Sequence, residues 1–86
     1  MNYIFRTDGT SDKAPPANGT DYTLEELQKM VGGYIEVVKV PNKPSMILIV
    51  NEEGLLHNLP LNPMATGIAG QSIVGNAVYC PTDHLK

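Results

Sequence analysis

The sequence predicts a small α+β domain in which four to five short, mostly antiparallel strands form a sheet and one main helix lies on one face. Two observations indicate this fold class. Short apolar runs of strand length are separated by turn-forming Gly, Pro and Asn residues. One segment, beginning near residue 24, has instead the start signal and spacing of an amphipathic helix. With 86 residues, we expect a single domain over residues 1–86.

The chain begins with a predicted strand and a long loop. Met1 to Arg6 has aromatic and aliphatic side chains in alternation, which is typical of a short strand. Residues 7–21 are rich in Gly, Pro, Ser, Thr, Asn and Asp and nearly without apolar side chains. This composition predicts a loop.

The helix has the clearest local signal in the chain. Thr23 and Glu26 form a T-x-x-E capping box, so we expect Thr23 to be the N-cap. Apolar residues recur at helical spacing for about two turns. Gly32 or Gly33 then supplies the left-handed C-terminal cap. A helix this short is not stable alone in water, so it must pack on the sheet.

The second half of the chain is predicted as strands joined by turns. Residues 34–40 are rich in β-branched side chains, and residues 46–50 form a continuous apolar run, as in a strand buried on both faces. Residues 55–61 are predicted as a short edge strand or extended segment, because Pro60 cannot take part in a central ladder. Residues 73–80 are the last predicted strand, and residues 81–86 are expected to fray.

Composition excludes several classes of protein. One cysteine and two histidines allow neither a disulfide framework nor a Cys/His metal cage. A lone thiol and no secretory signal favour the cytosol. A net charge of -3 argues against binding to duplex nucleic acid, which relies on clustered Lys and Arg. The apolar run at Met46 is too short to span a membrane.

Self-association is expected on two grounds. A domain of this size buries a modest fraction of its surface and needs additional stabilisation. One short helix cannot cover both faces of a sheet whose strand over residues 46–50 is apolar on both sides. We therefore expect the uncovered face to meet another subunit, giving a homo-oligomer, or a ligand.

Catalytic motifs are weak throughout the sequence. Cys80 with His57 or His84 is the only cysteine pairing for nucleophilic catalysis, and Cys80 ends an apolar strand, as an inert buried thiol does. The glycines do not form a P-loop, and the acidic residues do not match a calcium loop. We expect a binding or structural protein rather than an enzyme, with no cofactor and no metal.

The segment from Asn62 to Thr66 is the predicted ligand site. Asn62 followed by a proline is typical of an N-cap, and one helical turn would leave the backbone N–H groups of Met64 and Ala65 free to hold an anion such as a phosphate. Thr66 adds a hydroxyl group. The alternative is that Asn62 and its proline simply start a turn of helix that covers the core.

Four further residues complete the predicted site. Asn58 offers hydrogen bonds to a base edge or a ribose. Arg6 and Lys39 are the cations best placed to neutralise a phosphate, and Tyr34 offers a ring on which a base can stack. Tyrosines in strands are more often packing residues, so core packing is the alternative role for Tyr34.

Four ordered motifs resemble a family of small uncharacterised proteins that are common in bacteriophages and mobile elements. The motifs are LEELQKMVGGYIEVV, ILIVNEEG, LPLNPMAT and IVGNAVYC, and they cover roughly Tyr22 to Cys80. The family is catalogued only as a domain of unknown function and has no established catalytic residues to transfer. The resemblance implies a phage origin and a role in the cytoplasm of the infected bacterial host.

Two functions are compatible with these observations. By analogy with small phage proteins known as sponges, the chain would bind a cyclic-nucleotide or cyclic-ADP-ribose-type defence signal and sequester it without cleavage. The alternative is a protein–protein inhibitor or adaptor that docks on a host defence enzyme or nuclease. In that case an exposed sheet edge could add a strand to the partner's sheet.

Overall fold

A five-stranded antiparallel sheet organises the structure, a computed structural model that describes residues 2–85. The strands lie in the order β2-β1-β5-β4-β3, and all four pairings are antiparallel. The elements are β1 (Tyr3–Phe5), β2 (Ser11–Lys13), α1 (Leu24–Val31), β3 (Ile35–Lys39), β4 (Met46–Asn51), α2 (Pro63–Ala69), β5 (Ala77–Pro81) and a short 3-10 helix (Thr82–His84). The predicted α+β class and antiparallel sheet are confirmed.

Helix α1 begins and ends where the sequence predicts. The Thr23 hydroxyl accepts a hydrogen bond from the Glu26 N–H (3.1 Å), and the Glu26 carboxylate accepts one from the Thr23 N–H (2.9 Å). A second carboxylate oxygen of Glu26 accepts from the Ala17 N–H, and these backbone donors together hold the pKa of Glu26 below its ordinary value. Gly32 closes the helix in the left-handed conformation, with φ 82°.

Strand β4 is the centre of the core and separates two apolar clusters. Ile47 and Ile49 face α1 and pack with residues such as Leu27 and Val78. Leu48 belongs to the opposite cluster, which also contains α2 residues. Every residue of β4 is buried, as expected for a strand with both faces in the core.

The expectation of an uncovered sheet face is wrong, because α2 and the segment after it cover that face. Ala65, Ala69 and Ile73 are all buried against Leu48 and its neighbours. The sequence predicts one helical turn ending at Gly67, whereas the helix runs for seven residues to a left-handed Gly70. A glycine within a helix costs about 1 kcal/mol but does not end it when the apolar contacts on both sides are favourable.

Residues 55–61 are predicted as a short edge strand or extended segment, whereas residues 55–58 form turns and no strand follows before α2. The Leu59 N–H donates to the Gly54 carbonyl (3.0 Å), and Asn58 has a positive φ of 54°. Leu61 alone forms an isolated bridge, to Val74. The last strand begins at Ala77 rather than residue 73, because the preceding Gly75 also has a positive φ, 79°, which breaks an extended ladder.

The predicted loop and residues 81–85 of the predicted frayed tail are both tied to the domain, while residue 86 lies outside the described residues. Part of the loop forms β2, and Tyr22 at its end is 1% exposed. The Tyr22 hydroxyl donates to the Ala14 carbonyl and accepts from the Asn2 side chain, while its N–H donates to the His84 carbonyl (2.9 Å). Leu85 packs on the α1 cluster. Tyr22 thus joins the loop, the helix start and the chain end, a connection with no local sequence signal.

Candidate functional site

Asn62, the centre of the predicted ligand site, is a buried structural residue. Its side-chain oxygen accepts from the Ala65 N–H (3.0 Å), which caps α2. Its side-chain NH₂ donates to the Phe5 carbonyl (2.8 Å) and to the Gly75 carbonyl (2.9 Å). The side chain has no exposed surface. Asn62 therefore connects α2 to β1 and to the segment before β5, which matches its alternative role of starting a helix that covers the core.

The rest of the predicted anion site is also engaged by the protein. Pro63 has no N–H, and Ala65 is fully buried with its N–H bonded to Asn62. The Thr66 hydroxyl accepts a hydrogen bond from the Ile73 N–H (2.9 Å). The backbone N–H of Thr66 donates to the Asn62 carbonyl. Met64 is 37% exposed. The backbone donors that would hold a phosphate are thus largely satisfied within the fold.

The four additional predicted residues do not converge on this segment as one pocket. Arg6 pairs with Asp12 across β1 and β2, with 2.7 Å between guanidinium and carboxylate. Asn58 is an exposed residue in the turns after β4. Tyr34 directly precedes β3 and Lys39 is its last residue, so both lie at the sheet edge that is distant from β1 and Arg6. Of the four, these two are close to one strand, and β3 is where the geometry suggests a site.

β3 is an edge strand with an open backbone. The Glu52 N–H donates to the Tyr34 carbonyl (2.8 Å), so the pairing with β4 continues one residue beyond the strand. In an antiparallel pair, every second residue directs its N–H and C=O to the neighbouring strand. Ile35, Val37 and Lys39 therefore direct theirs away from β4, and no strand within residues 2–85 pairs with them. We call these three residues the open edge.

Apolar side chains are exposed around the open edge. Tyr34 is 65% exposed and Val37 is 43% exposed. Leu55, which is 80% exposed, lines a small cleft of about 150 Å³ together with Glu36 of β3. Exposed tyrosine and leucine beside unpaired backbone groups are typical of protein-binding surfaces rather than of solvated ones.

A larger cleft lies at the far end of β3, where the chain turns into β4. It has a volume of about 460 Å³. Its walls are mainly apolar, and Lys39 is the one charged residue among them. The lining residues are Lys39, Val40, Pro41, Asn42, Pro44, Met46, Ile47 and Thr82. We call it the hairpin cleft. Pro41 and Pro44 end the strand pattern in this turn, and their rings also supply rigid apolar walls.

The turn that forms the hairpin cleft is held firmly by the neighbouring strand end. The Lys43 N–H donates to the Val40 carbonyl (3.2 Å), and Asn42 takes a positive φ of 65°. Thr82 anchors the other side, since its N–H donates to the Ser45 carbonyl (2.8 Å) and its hydroxyl donates to the Pro44 carbonyl (3.2 Å). The cleft is therefore preformed rather than dependent on a mobile loop.

The described residues include neither a reactive thiol nor a cluster of metal ligands. Burial, with a smaller contribution from nearby Asp83, raises the pKa of the Cys80 thiol to about 11, so the thiol is protonated at neutral pH. No three His, Cys, Asp or Glu residues between positions 2 and 85 cluster closely enough to hold a metal ion. In the same part of the chain, no helix has the length and apolarity needed to cross a bilayer.

Comparison with known proteins gives one finding on identity. A family model described as a domain of unknown function, DUF3846, matches residues 7–85. This range contains all four motifs on which the resemblance rests, and it extends through the loop that contains β2. No curated protein and no solved structure shows a significant match to the chain.

Proposed function

The chain belongs to the DUF3846 family of domains of unknown function, and we propose that it is a non-catalytic protein-binding module. In this role it docks on a bacterial enzyme or nuclease by pairing β3 with an extended segment of the partner. The observation that carries the proposal is the open edge, with its backbone groups unpaired and flanked by exposed Tyr34 and Val37.

Strand addition uses what the open edge offers. The N–H and C=O groups of Ile35, Val37 and Lys39 provide the main-chain hydrogen bonds, each worth about 1 kcal/mol net. Side chains on the two sheet faces then provide specificity. Tyr34 is the best anchor, because tyrosine is enriched among the residues that dominate binding energy at interfaces.

The working environment of such a module comes from the family resemblance. The resemblance to phage and mobile-element proteins implies the cytoplasm of an infected host, where docking on a defence enzyme would inhibit it stoichiometrically. The Cys80 thiol is buried and its raised pKa keeps it protonated at neutral pH, so Cys80 does not serve as a nucleophile in this role.

The experiment compares two proline variants at the two sheet edges. Val37→Pro removes an outward N–H of β3, which breaks no hydrogen bond within the domain. Lys13→Pro is the matched control, because the Ala14 N–H donates to the Asn2 carbonyl, which makes the Lys13 N–H an outward group of β2. Immobilised wild-type protein and Lys13→Pro should capture the same partner from lysates of phage-infected bacteria, and Val37→Pro should lose it.

Amide hydrogen exchange on the captured complex provides the direct readout. Binding should protect the amides of Ile35, Val37 and Lys39 against exchange. Capture that survives Val37→Pro, or protection confined to other elements, would show that the partner does not use this edge.

Sequestration of a nucleotide-type signal is a second candidate, favoured by the hairpin cleft. Its volume of about 460 Å³ lies in the range of small-molecule sites. Apolar walls suit a base, and Lys39 at the rim suits a phosphate. A ligand in this cleft would lie at a different location from residues 62–66, whose polar groups are engaged within the fold.

Native mass spectrometry with cyclic dinucleotides, cyclic trinucleotides and cyclic ADP-ribose isomers tests this candidate. A sponge would retain one intact nucleotide per site and release it unchanged on denaturation. Lys39→Ala should weaken retention, whereas Lys43→Ala, in the same turn but outside the cleft lining, should not. Absence of any bound nucleotide would remove the candidate.

A further inference from the structure

We infer that the free protein forms a two-fold dimer in which the β3 strands of two copies pair antiparallel and Tyr34 of each copy occupies the hairpin cleft of the other. This inference rests on the same open edge as the proposed function. In the free protein, before a partner binds, a second copy of this chain occupies the open edge.

Charge and hydrogen bonding select one register for the pairing. In a two-fold antiparallel pair the outward residues of one copy must face outward residues of the other. A register centred on Glu36 would place two carboxylates opposite each other, with Cβ atoms about 5 Å apart. A register centred on Val38 would place Ile35 opposite Pro41, which has no N–H to donate.

The register centred on Val37 has neither defect. Val37 of one copy faces Val37 of the second copy, and Ile35 faces Lys39. Each outward N–H and C=O of the open edge then has a partner. The two Lys39 ammonium groups lie at opposite ends of the pair, so they do not repel each other at close range.

This register also brings an exposed ring to an apolar cleft. Tyr34 lies opposite Val40 of the second copy, and Val40 lines the hairpin cleft. The two positions differ by six residues, so alternation along a strand places both on the same sheet face. Two-fold symmetry repeats the contact, because Tyr34 of the second copy meets Val40 of the first. A surface that is complementary to itself in this way is what a closed dimer requires.

The dimer would regulate access to the open edge. Self-pairing covers the backbone groups that strand addition needs, so a partner must compete with the second copy. Partner binding then depends on protein concentration and is strongest when the protein is dilute.

The first test measures association. Sedimentation of the full chain over a micromolar concentration series should show a monomer–dimer equilibrium. Tyr34→Ala removes one anchor from each copy and should raise the dimer Kd by about 30-fold. Leu24→Ala, which truncates another exposed apolar residue, on α1, should leave the Kd unchanged. A wild-type monomer throughout the series, or equal effects of the two variants, would overturn the inference.

The second test measures the register and does not depend on a destabilising variant. Val37→Cys should form an intermolecular disulfide on mild oxidation, because two residues that exchange both backbone hydrogen bonds have Cα atoms about 5.5 Å apart, within disulfide range. Glu36→Cys is the matched control and should not cross-link, since its symmetry mate is too distant in this register. The native Cys80 is buried and does not compete. Equal cross-linking of both variants would overturn the proposed register.

The two proposals can fail separately. A monomeric protein that still loses its partner on Val37→Pro would disprove the dimer and keep the binding module. If the protein is a dimer and Val37→Pro does not affect partner capture, the dimer is kept and the binding module is disproved.

Discussion

The two edges of the sheet are built in opposite ways. β2 has three residues, all exposed and polar, and Asp12 at its centre pairs with Arg6, which directly follows the adjacent strand β1. β3 has five residues, and its central position is an exposed valine. Short, charged edges resist pairing with other chains, whereas longer apolar ones invite it. The comparison indicates that only one edge of this domain is adapted to meet another strand.

Asn62 is the buried side chain that connects α2 to β1, the strand next to the β2 edge, and its loss should have the largest effect on stability. Asn62→Ala leaves the Phe5 and Gly75 carbonyls and the Ala65 N–H without their partner. Because buried polar groups without partners are costly, we expect the free energy of unfolding to fall by about 3 kcal/mol. Urea denaturation measures the loss.

Hydrogen exchange on the same variant sharpens the comparison. Protection should fall in β1 and β2 and persist in β3 and β4, because Asn62 bonds to the β1 side of the sheet. Asn58→Gly is the control, since an exposed residue at positive φ tolerates glycine and its stability should change little. A uniform loss of protection would mean that the two halves of the sheet are one cooperative unit.

Alkaline pH should have the next largest effect on stability, because it ionises Cys80 in β5, a strand in the interior of the sheet. Cys80 in β5 has its pKa raised to about 11 by burial, so the unfolded chain loses the thiol proton first as pH rises. Stability is therefore lost between about pH 9 and 11, by about 2 kcal/mol. Burial also raises the pKa of Tyr22, which adds to the loss.

Cys80→Ala isolates the thiol contribution. The variant should be less stable at neutral pH because of the cavity it creates, but its stability should fall less steeply above pH 9. Parallel pH profiles for wild type and Cys80→Ala would contradict the assignment.

How far the sequence predicted these regions depends on how local the decisive contacts are. Thr23 and Glu26 lie three residues apart, so the start of α1 follows from the sequence. Asn62 bonds to Phe5, 57 residues away, and no spacing along the chain reveals such a bond. Its role as an N-cap was predictable, but its burial was not.

The edges show the same division. The apolar run of β4 predicted a strand buried on both faces, as the structure has it. Which strand ends the sheet depends on the non-local pairing of β1 with β5, and the polar β2 has no strand pattern at all. The hairpin cleft was missed for a related reason, because Thr82, which anchors its wall, lies 38 residues from Pro44.

The ion pair on the β2 edge should have a small effect. Arg6→Ala removes a pair whose side chains are 36% and 67% exposed, and we expect a loss of about 0.5 kcal/mol that decreases in high salt. Thermal unfolding at low and high ionic strength measures it. A larger, salt-independent loss would mean that the Arg6 side chain contributes packing rather than charge.

Val37→Lys places a charge at the centre of β3, as Asp12 does in β2. It should change the free energy of unfolding least, by no more than about 0.5 kcal/mol at low protein concentration. Its effect on association should be large, because two lysines would face each other across the two-fold axis. Sedimentation should show a monomer at concentrations where wild type is dimeric. A dimer of unchanged affinity would mean that the copies associate through another surface.

The position of β5 between β1 and β4 has a consequence for synthesis on the ribosome. The chain leaves the ribosome in sequence order, so the β3–β4 hairpin emerges well before residues 77–81. Until then β4, which is apolar on both faces, has one side of its backbone without a partner, in addition to the outward side of β3, which no strand within residues 2–85 covers. Nascent chains on one polysome therefore carry two unpaired strand sides rather than one, and the emergence of residues 63–81, which supply α2 and β5, removes the risk of aggregation from β4.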